Sequence, residues 1–86
     1  MRSPEPTAPH REEAILVAHD CFGNILERIT LGLHEYWEGL HEVIDSATYR
    51  EAKGIARVTG VLYSSSGSVL QEFQNAYGPQ GRYVSG

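Results

Sequence analysis

The sequence predicts an all-α fold: a two-helix antiparallel hairpin that oligomerises, most simply into a four-helix bundle. Three observations lead to this prediction. Apolar residues recur at helical spacing in the first half of the chain, a helix-capping pattern follows, and small residues then recur at every fourth position. The 86 residues make one domain at most. A domain of this size buries a modest core, so oligomerisation is expected to supply further burial.

Helix 1 is predicted over about residues 11–45, after a flexible arm at residues 1–10 that contains three prolines and no apolar stretch. Apolar side chains in this segment follow the three- and four-residue steps of an amphipathic helix. They are Ile15, Leu16, Phe22, Ile25, Leu26, Ile29, Leu33, Trp37, Leu40, Val43 and Ile44. Acidic residues occupy the opposite stripe, which indicates a solvent-facing side.

The turn between the helices is placed at residues 45–48, because Thr48 and Glu51 have the Thr-x-x-Glu spacing of a capping box. Helix 2 then covers about residues 48–77, and Gly78-Pro79 ends it. Residues 78–86 are expected to form a flexible tail. A connection this short makes the helices antiparallel neighbours. Two alternatives stay open, namely one unbroken helix through residues 45–48 or a break at Gly39.

A ladder of small residues in helix 2 predicts self-association. Steps of four residues form the i±4 ridge, which lets a second helix approach closely at an oblique crossing. One flank of the ladder would pack on helix 1 and the other on another chain. The predicted contact residues are Trp37, Gly39, Ala52, Ala56, Gly60, Ser64 and Ser68. Replacing Gly60 with leucine would then break the assembly by overpacking a close crossing.

The formal charge of −4 is unevenly distributed. Residues 1–45 hold nine acidic and three basic residues, whereas residues 46–86 hold two acidic and four basic residues. The basic cluster of Arg50, Lys53 and Arg57 is expected to pair with the acidic first helix. Nucleic acid is not an expected partner, because it requires a concentrated basic face. The acidic helix would also suit a small adaptor or inhibitor that docks on a basic partner surface.

The lone cysteine, Cys21, excludes an internal disulfide and indicates a reducing, cytoplasmic location. The longest uncharged stretch, residues 58–71, is too short and too rich in serine to span a membrane. No signal peptide is recognised at the N-terminus.

The tripeptide Trp37-Glu38-Gly39 within a short acidic helical hairpin resembles the WXG100 (ESAT-6-like) proteins. This resemblance implies a helical hairpin that pairs with a second copy or with another helical protein. It also implies secretion without a cleaved signal peptide. The sequence departs from the family pattern, because the export signal Tyr-x-x-x-Asp/Glu is missing after helix 2.

A metal-binding bundle is the alternative function. His34, Glu38 and His41 share one face of helix 1, and Glu38-x-x-His41 has the spacing that ferritin-like bundles use for metal ligands. A site would form across the oligomer, because one hairpin supplies too few ligands. No cofactor is predicted. No nucleophile is spaced for contact with a base on the predicted helices, so the primary prediction is a non-enzymatic interaction protein.

Overall fold

Most of the chain forms one antiparallel sheet in the computed structural model, which describes residues 12–39 and 41–86. The strands are β1 (Glu13–His19), β2 (Ile25–Gly32), β3 (Arg57–Tyr63), β4 (Val69–Tyr77) and β5 (Tyr83–Ser85). Three short helices lie between β2 and β3, namely α1 (Leu33–Trp37), α2 (Glu42–Asp45) and α3 (Ala47–Lys53). The strand order is β2-β1-β3-β4-β5, so the helical segment carries the chain from one side of β1 to the other.

Alternating burial along the central strands divides the sheet into two faces. On β1, Ala14, Leu16 and Ala18 are fully buried, whereas Ile15 and Val17 between them are only half-buried. The same period of two runs along β3, as expected for a strand with one covered face. We call the face that carries Leu16 the inner face and the face that carries Ile15 the outer face.

The hydrophobic core lies between the inner face and the helices. Leu16, Ile29 and Val58 project from three adjacent strands and pack with Val43 of α2 and with Ile55, which follows α3. Ala18 and Tyr77 complete the buried cluster. None of the helices described belongs to the outer face, because their buried and half-buried side chains pack into this same cluster.

Gly60 lies at the closest approach inside the sheet. It pairs with Leu16 on β1 and with Phe73 on β4. A methyl group added at Gly60 would lie 2.9 Å from Leu16 Cδ2 and would overlap the ring of Phe73. The missing side chain therefore makes room for an aromatic ring on the neighbouring strand, and glycine is the residue that fits there.

The predicted all-α hairpin is wrong, because the chain is mainly antiparallel sheet with short helices. Helix 1 is replaced by β1, β2, α1 and α2, and helix 2 is replaced by α3, β3 and β4. Neither half supplies a long helix for a four-helix bundle. The spacing itself explains the error, because positions four apart share a face in a helix and also in a strand, where side chains alternate with period two.

The two ends of the chain differ from the prediction in different ways. Residues 78–86 are not a loose tail, because they form a turn and β5, and β5 pairs with β4. The predicted arm at residues 1–10 lies outside the described residues.

The predicted turn at residues 45–48 coincides with the junction of α2 and α3. There the Ser46 hydroxyl accepts a hydrogen bond from the Tyr49 N–H over 3.1 Å, so Ser46 and not Thr48 caps the helix.

Candidate protein-interaction surface

β2 is an edge strand, and its second side has no strand partner among the residues that the structure describes. Successive residues of an antiparallel strand direct their backbone groups alternately toward and away from a given neighbour. The N–H of Leu33 donates to the carbonyl of Glu12 over 3.1 Å, and the same register sets Ile29 opposite Leu16. From Glu27 to Gly32, odd-numbered residues of β2 therefore bond to β1, and even-numbered residues direct their N–H and C=O groups away from the sheet.

Arg28 and Thr30 carry the backbone groups that remain free on this edge. Gly32 also points outward, but its N–H donates to the Glu35 carboxylate over 2.9 Å. At the other end, the register shift of the β1–β2 pair leaves Leu26 as an extra, bulged residue. The bulge at Leu26 and the bond from Gly32 to Glu35 thus bound a regular stretch of outward backbone groups. We call the backbone N–H and C=O groups of Arg28 and Thr30 the β2 window.

The β2 window has few of the devices that usually protect a sheet edge, although Arg28 places one charged side chain there. Proteins shield exposed edges with proline, lysine, bulges or very short strands, because an open edge recruits other chains. On the opposite side of the sheet, β5 has only three residues and pairs with Ala76 and Tyr77 alone, so residues 69–75 of β4 also lack a strand partner on that side among the described residues. β2 has eight residues without proline or lysine, and its bulge lies outside the window. The side chains at the window, Arg28 and Thr30, are exposed on the outer face.

Exposed apolar side chains flank the β2 window at the turn between β1 and β2. Phe22 is 86% exposed at the tip of this turn, and Ile25 and Leu26 at the start of β2 are exposed as well. The turn is ordered by the Asp20 carboxylate, which accepts hydrogen bonds from the N–H groups of Phe22 and Asn24, each over 2.9 Å. An ordered turn therefore presents an apolar surface to solvent, which is typical of binding sites.

Asp20 is the titratable residue that stabilises this turn. Hydrogen bonds to its carboxylate lower its pKa below the ordinary value of 3.8, and the bond from the Asn24 side-chain amide has the largest effect. A lowered pKa in the folded state means that Asp20 supports the turn above pH 3.8 and loses this role as pH falls through the folded pKa. We expect NMR titration of the Asp20 carboxyl carbon to give a midpoint below 3.8, and Asn24→Ala to raise it. Gln74→Ala, on β4, is the control and should leave the midpoint unchanged; an equal shift in both variants would contradict the assignment.

Contacts on the inner face hold β2 in place. The Tyr49 hydroxyl on α3 donates to the Glu27 carboxylate over 2.8 Å, and this bond raises the pKa of Tyr49 above its usual value. Ile29 is part of the hydrophobic core. β2 is thereby held in an extended conformation before any partner arrives, which lowers the entropy that binding must overcome.

Arg50, predicted at the surface in a basic cluster, is instead 6% exposed. Its Nε donates to the carbonyl of Gly81 over 2.8 Å, and its Nη1 donates to the carbonyls of Val43 and Ile44 over 3.1 and 2.8 Å. The guanidinium also lies 4.1 Å from the centre of the Tyr77 ring. Arg50 therefore joins α3 to the end of α2 and to the turn before β5, which is a structural task.

A cleft of about 490 Å³ is lined by His19, Cys21 and Arg57, together with neighbouring residues of the β1–β2 turn. Nucleophilic catalysis would require a hydrogen bond between the thiol and a base. The nearest polar partners of the His19 ring nitrogens are instead the Gly23 carbonyl and the Thr59 hydroxyl, both at 3.4 Å. His19 is therefore hydrogen-bonded to these two oxygens and not to the Cys21 thiol, so the described residues of the cleft hold no thiol–base pair.

The sheet separates the predicted contact residues of the ladder. Ala52 is exposed on α3, Ala56 follows that helix, and Gly60 is buried within β3. Ser64 and Ser68 close the turn between β3 and β4, where the Ser64 N–H donates to the Ser68 carbonyl over 2.9 Å. The ladder is therefore not a helical ridge, and it forms no common surface.

Trp37 and Gly39 lie at and just after the end of the short helix α1, and not inside a long helix. Trp37 ends α1 and is 63% exposed, with its ring 5.0 Å from that of Tyr36. Its side chain therefore lies largely outside the hydrophobic core. Gly39 lies in the turn after α1, where its N–H donates to the Tyr36 carbonyl over 3.0 Å.

The proposed metal ligands come together only in part. His34 and Glu38 form an exposed pair with 2.8 Å between Nε2 and Oε2. His41 instead uses its Nδ1 to accept a hydrogen bond from the Val43 N–H over 3.1 Å, at the start of α2. Within residues 12–39 and 41–86, no group of three or more His, Cys, Asp or Glu side chains is arranged to hold a metal ion.

Comparison of the chain with protein-family models, with curated proteins and with solved structures gives no match. The comparisons thus neither support nor refute the resemblance of Trp37-Glu38-Gly39 to WXG100 proteins, although the helical hairpin that it implies is contradicted by the sheet. None of the helices in the described part of the chain has the length and apolar character needed to cross a membrane.

The sequence analysis missed the β2 window altogether. β2 contains Ile25, Ile29 and Thr30, and such β-branched residues favour strands. A turn pattern with Asp20, Gly23 and Asn24 precedes it and is typical of a hairpin connection. These signals could have identified the β1–β2 hairpin. They could not have shown that β2 lies at an edge, because strand order depends on contacts distant in the sequence.

Proposed function

We propose that this chain is a protein-interaction domain that binds an extended segment of a partner along β2. The observation that carries the proposal is the β2 window, where the backbone groups of Arg28 and Thr30 point away from a pre-ordered strand. Strand addition of this kind obtains affinity from main-chain hydrogen bonds and selectivity from the side chains beside the edge. The proposed function is still that of a non-enzymatic interaction protein, but the contact with the partner is made by a sheet edge and not by packed helices.

The surroundings of the window indicate what the partner segment should contain. Phe22, Ile25 and Leu26 offer an apolar contact at one end. Arg28 places one positive charge on the outer face. A segment with a β-branched or aromatic residue near the turn and an acidic or hydroxyl residue opposite Arg28 would match both features.

The test is selection of binders from a library of displayed octapeptides, followed by NMR mapping. We expect selected peptides to shift the backbone amide signals of Arg28 and Thr30 in the labelled protein. Thr30→Pro should weaken binding at least about tenfold, because proline removes an outward N–H and obstructs the approaching strand. The bond of Ile29 to β1 is not altered by this change.

Thr30→Val is the matched control, because it changes the same side chain and keeps the N–H. Binding should be largely preserved in this variant. Peptides that bind Thr30→Pro as tightly as the unaltered protein, or that shift only amides remote from β2, would contradict the proposal.

A further inference from the structure

We infer that the segment that binds at the β2 window is β2 of a second copy of this chain, antiparallel and related by a two-fold axis at Ile29. The inference rests on the proposed function and adds the identity of the partner and the register. The two sheets would join into one continuous sheet of ten strands, since each copy contributes five.

The free backbone groups of the window match each other under this symmetry. An axis at Ile29 sets Arg28 of one copy opposite Thr30 of the other, and the reverse. Residues that face each other in this way exchange an N–H and a C=O in both directions. All the free groups of the window are then satisfied, while the outward N–H of Gly32 keeps its bond to Glu35.

Neighbouring registers are less favourable. An axis at Arg28 places two guanidinium side chains directly opposite each other, which is destabilising. An axis at Thr30 sets Arg28 opposite Gly32, whose N–H is already donated to Glu35. If the axis lay between two consecutive residues, the free N–H and C=O groups of one copy would face residues of the other copy whose backbone groups already bond to β1. The occupied N–H of Gly32 and the repulsion between two Arg28 side chains thus favour the axis at Ile29.

Side chains agree with the same arrangement. Ile29 of each copy would meet at the axis on the inner face, so the two hydrophobic cores would become continuous. Arg28 would lie beside the hydroxyl of Thr30 of the other copy, without a like charge opposite. Leu26, exposed in the single chain, would lie opposite Gly32, which has no side chain to obstruct it.

Sedimentation velocity over a range of protein concentrations tests whether the partner is a second copy of this chain. The unaltered chain and Thr30→Val should form dimers as concentration rises, and Thr30→Pro should stay monomeric. A circular dichroism spectrum of each variant shows whether it is folded. A chain that sediments as a monomer at every concentration would overturn the inference.

Disulfide cross-linking tests the register. In a background with Cys21→Ser, we expect mild oxidation of Ile29→Cys to give a covalent dimer, because the two Ile29 residues face each other at the axis. Arg28→Cys and Thr30→Cys should give little covalent dimer, since neither residue lies opposite the same residue of the other copy. A dimer that cross-links through Arg28→Cys or Thr30→Cys, and not through Ile29→Cys, would contradict the register.

The two proposals can fail separately. A monomer whose Arg28 and Thr30 amides respond to selected peptides would overturn the homodimer and leave the proposed function intact. A dimer that persists in Thr30→Pro would overturn the interface inferred here. If peptides also bind that variant undiminished, the proposed function fails with it.

Discussion

Gly60→Leu is expected to destabilise the folded chain by about 3 kcal/mol, at the upper end of what overpacking usually costs. The new side chain would overlap the Phe73 ring and press on Leu16. The effect falls on folding of the single chain, not on an assembly between helices. Urea denaturation followed by circular dichroism measures it, since a smaller free energy of unfolding moves the midpoint to lower urea.

A second pair of variants tests whether the Phe73 ring is the group that a side chain at position 60 would overlap. Gly60→Ala should cost about 1 to 2 kcal/mol in the unaltered chain because of the Phe73 ring. With Phe73→Ala already present, the added methyl has room, and the same change should be neutral or stabilising. An equal cost of Gly60→Ala in both backgrounds would show that Phe73 is not the obstacle.

Arg50→Met is expected to destabilise the chain by about 3 kcal/mol, because hydrogen bonds from a buried charged group are worth more than neutral ones. The change leaves the carbonyls of Val43, Ile44 and Gly81 without the donors they have in the native structure. The link between the α2–α3 segment and the turn before β5 would be lost. Urea denaturation again provides the measurement.

Lys53→Met is the control on the same helix. Lys53 is exposed, with its Nζ 5.4 Å from the centre of the Tyr49 ring. Exposed contacts of this kind are worth at most about 1 kcal/mol, so the free energy of unfolding should change little. Comparable losses in the two variants would contradict a structural role specific to Arg50.

The sequence predicts which residues are apolar contacts better than it predicts the elements that carry them. Leu16 and Ile29 were placed on the apolar face of helix 1 and are buried in the sheet. Spacings of four preserve a common face in both structures. The decisive signals were β-branched residues and the turn residues at Asp20–Asn24 and Ser64–Ser68. These signals favour short strands over helices with glycine in their interiors.

Gly60 illustrates a local pattern that correctly predicts a close approach of the backbone but wrongly predicts which residues approach it. The sequence indicates a close approach at this position, and a close approach exists. Its partners are Leu16 and Phe73, which are distant in the sequence and adjacent in the sheet. Trp37 shows the opposite case: a large aromatic residue that was placed on the apolar face of helix 1 is mostly exposed.

The candidate interaction surface could not be predicted from local sequence at all. The free groups of Arg28 and Thr30 belong to the backbone, so side-chain identity does not reveal them. Their freedom depends on β3 pairing with β1, which leaves β2 outermost. That choice is a long-range property of the fold.

Amide hydrogen exchange at Arg28 and Thr30, measured at several protein concentrations, tests the central claim most directly. Our account predicts rapid exchange of both amides in the dilute monomer and growing protection as β2 strands pair at higher concentration. The Ile29 amide, which bonds to β1, is the internal reference and should be protected throughout. Rapid exchange of Arg28 and Thr30 at every concentration, in a chain that nevertheless associates, would contradict pairing at the β2 window.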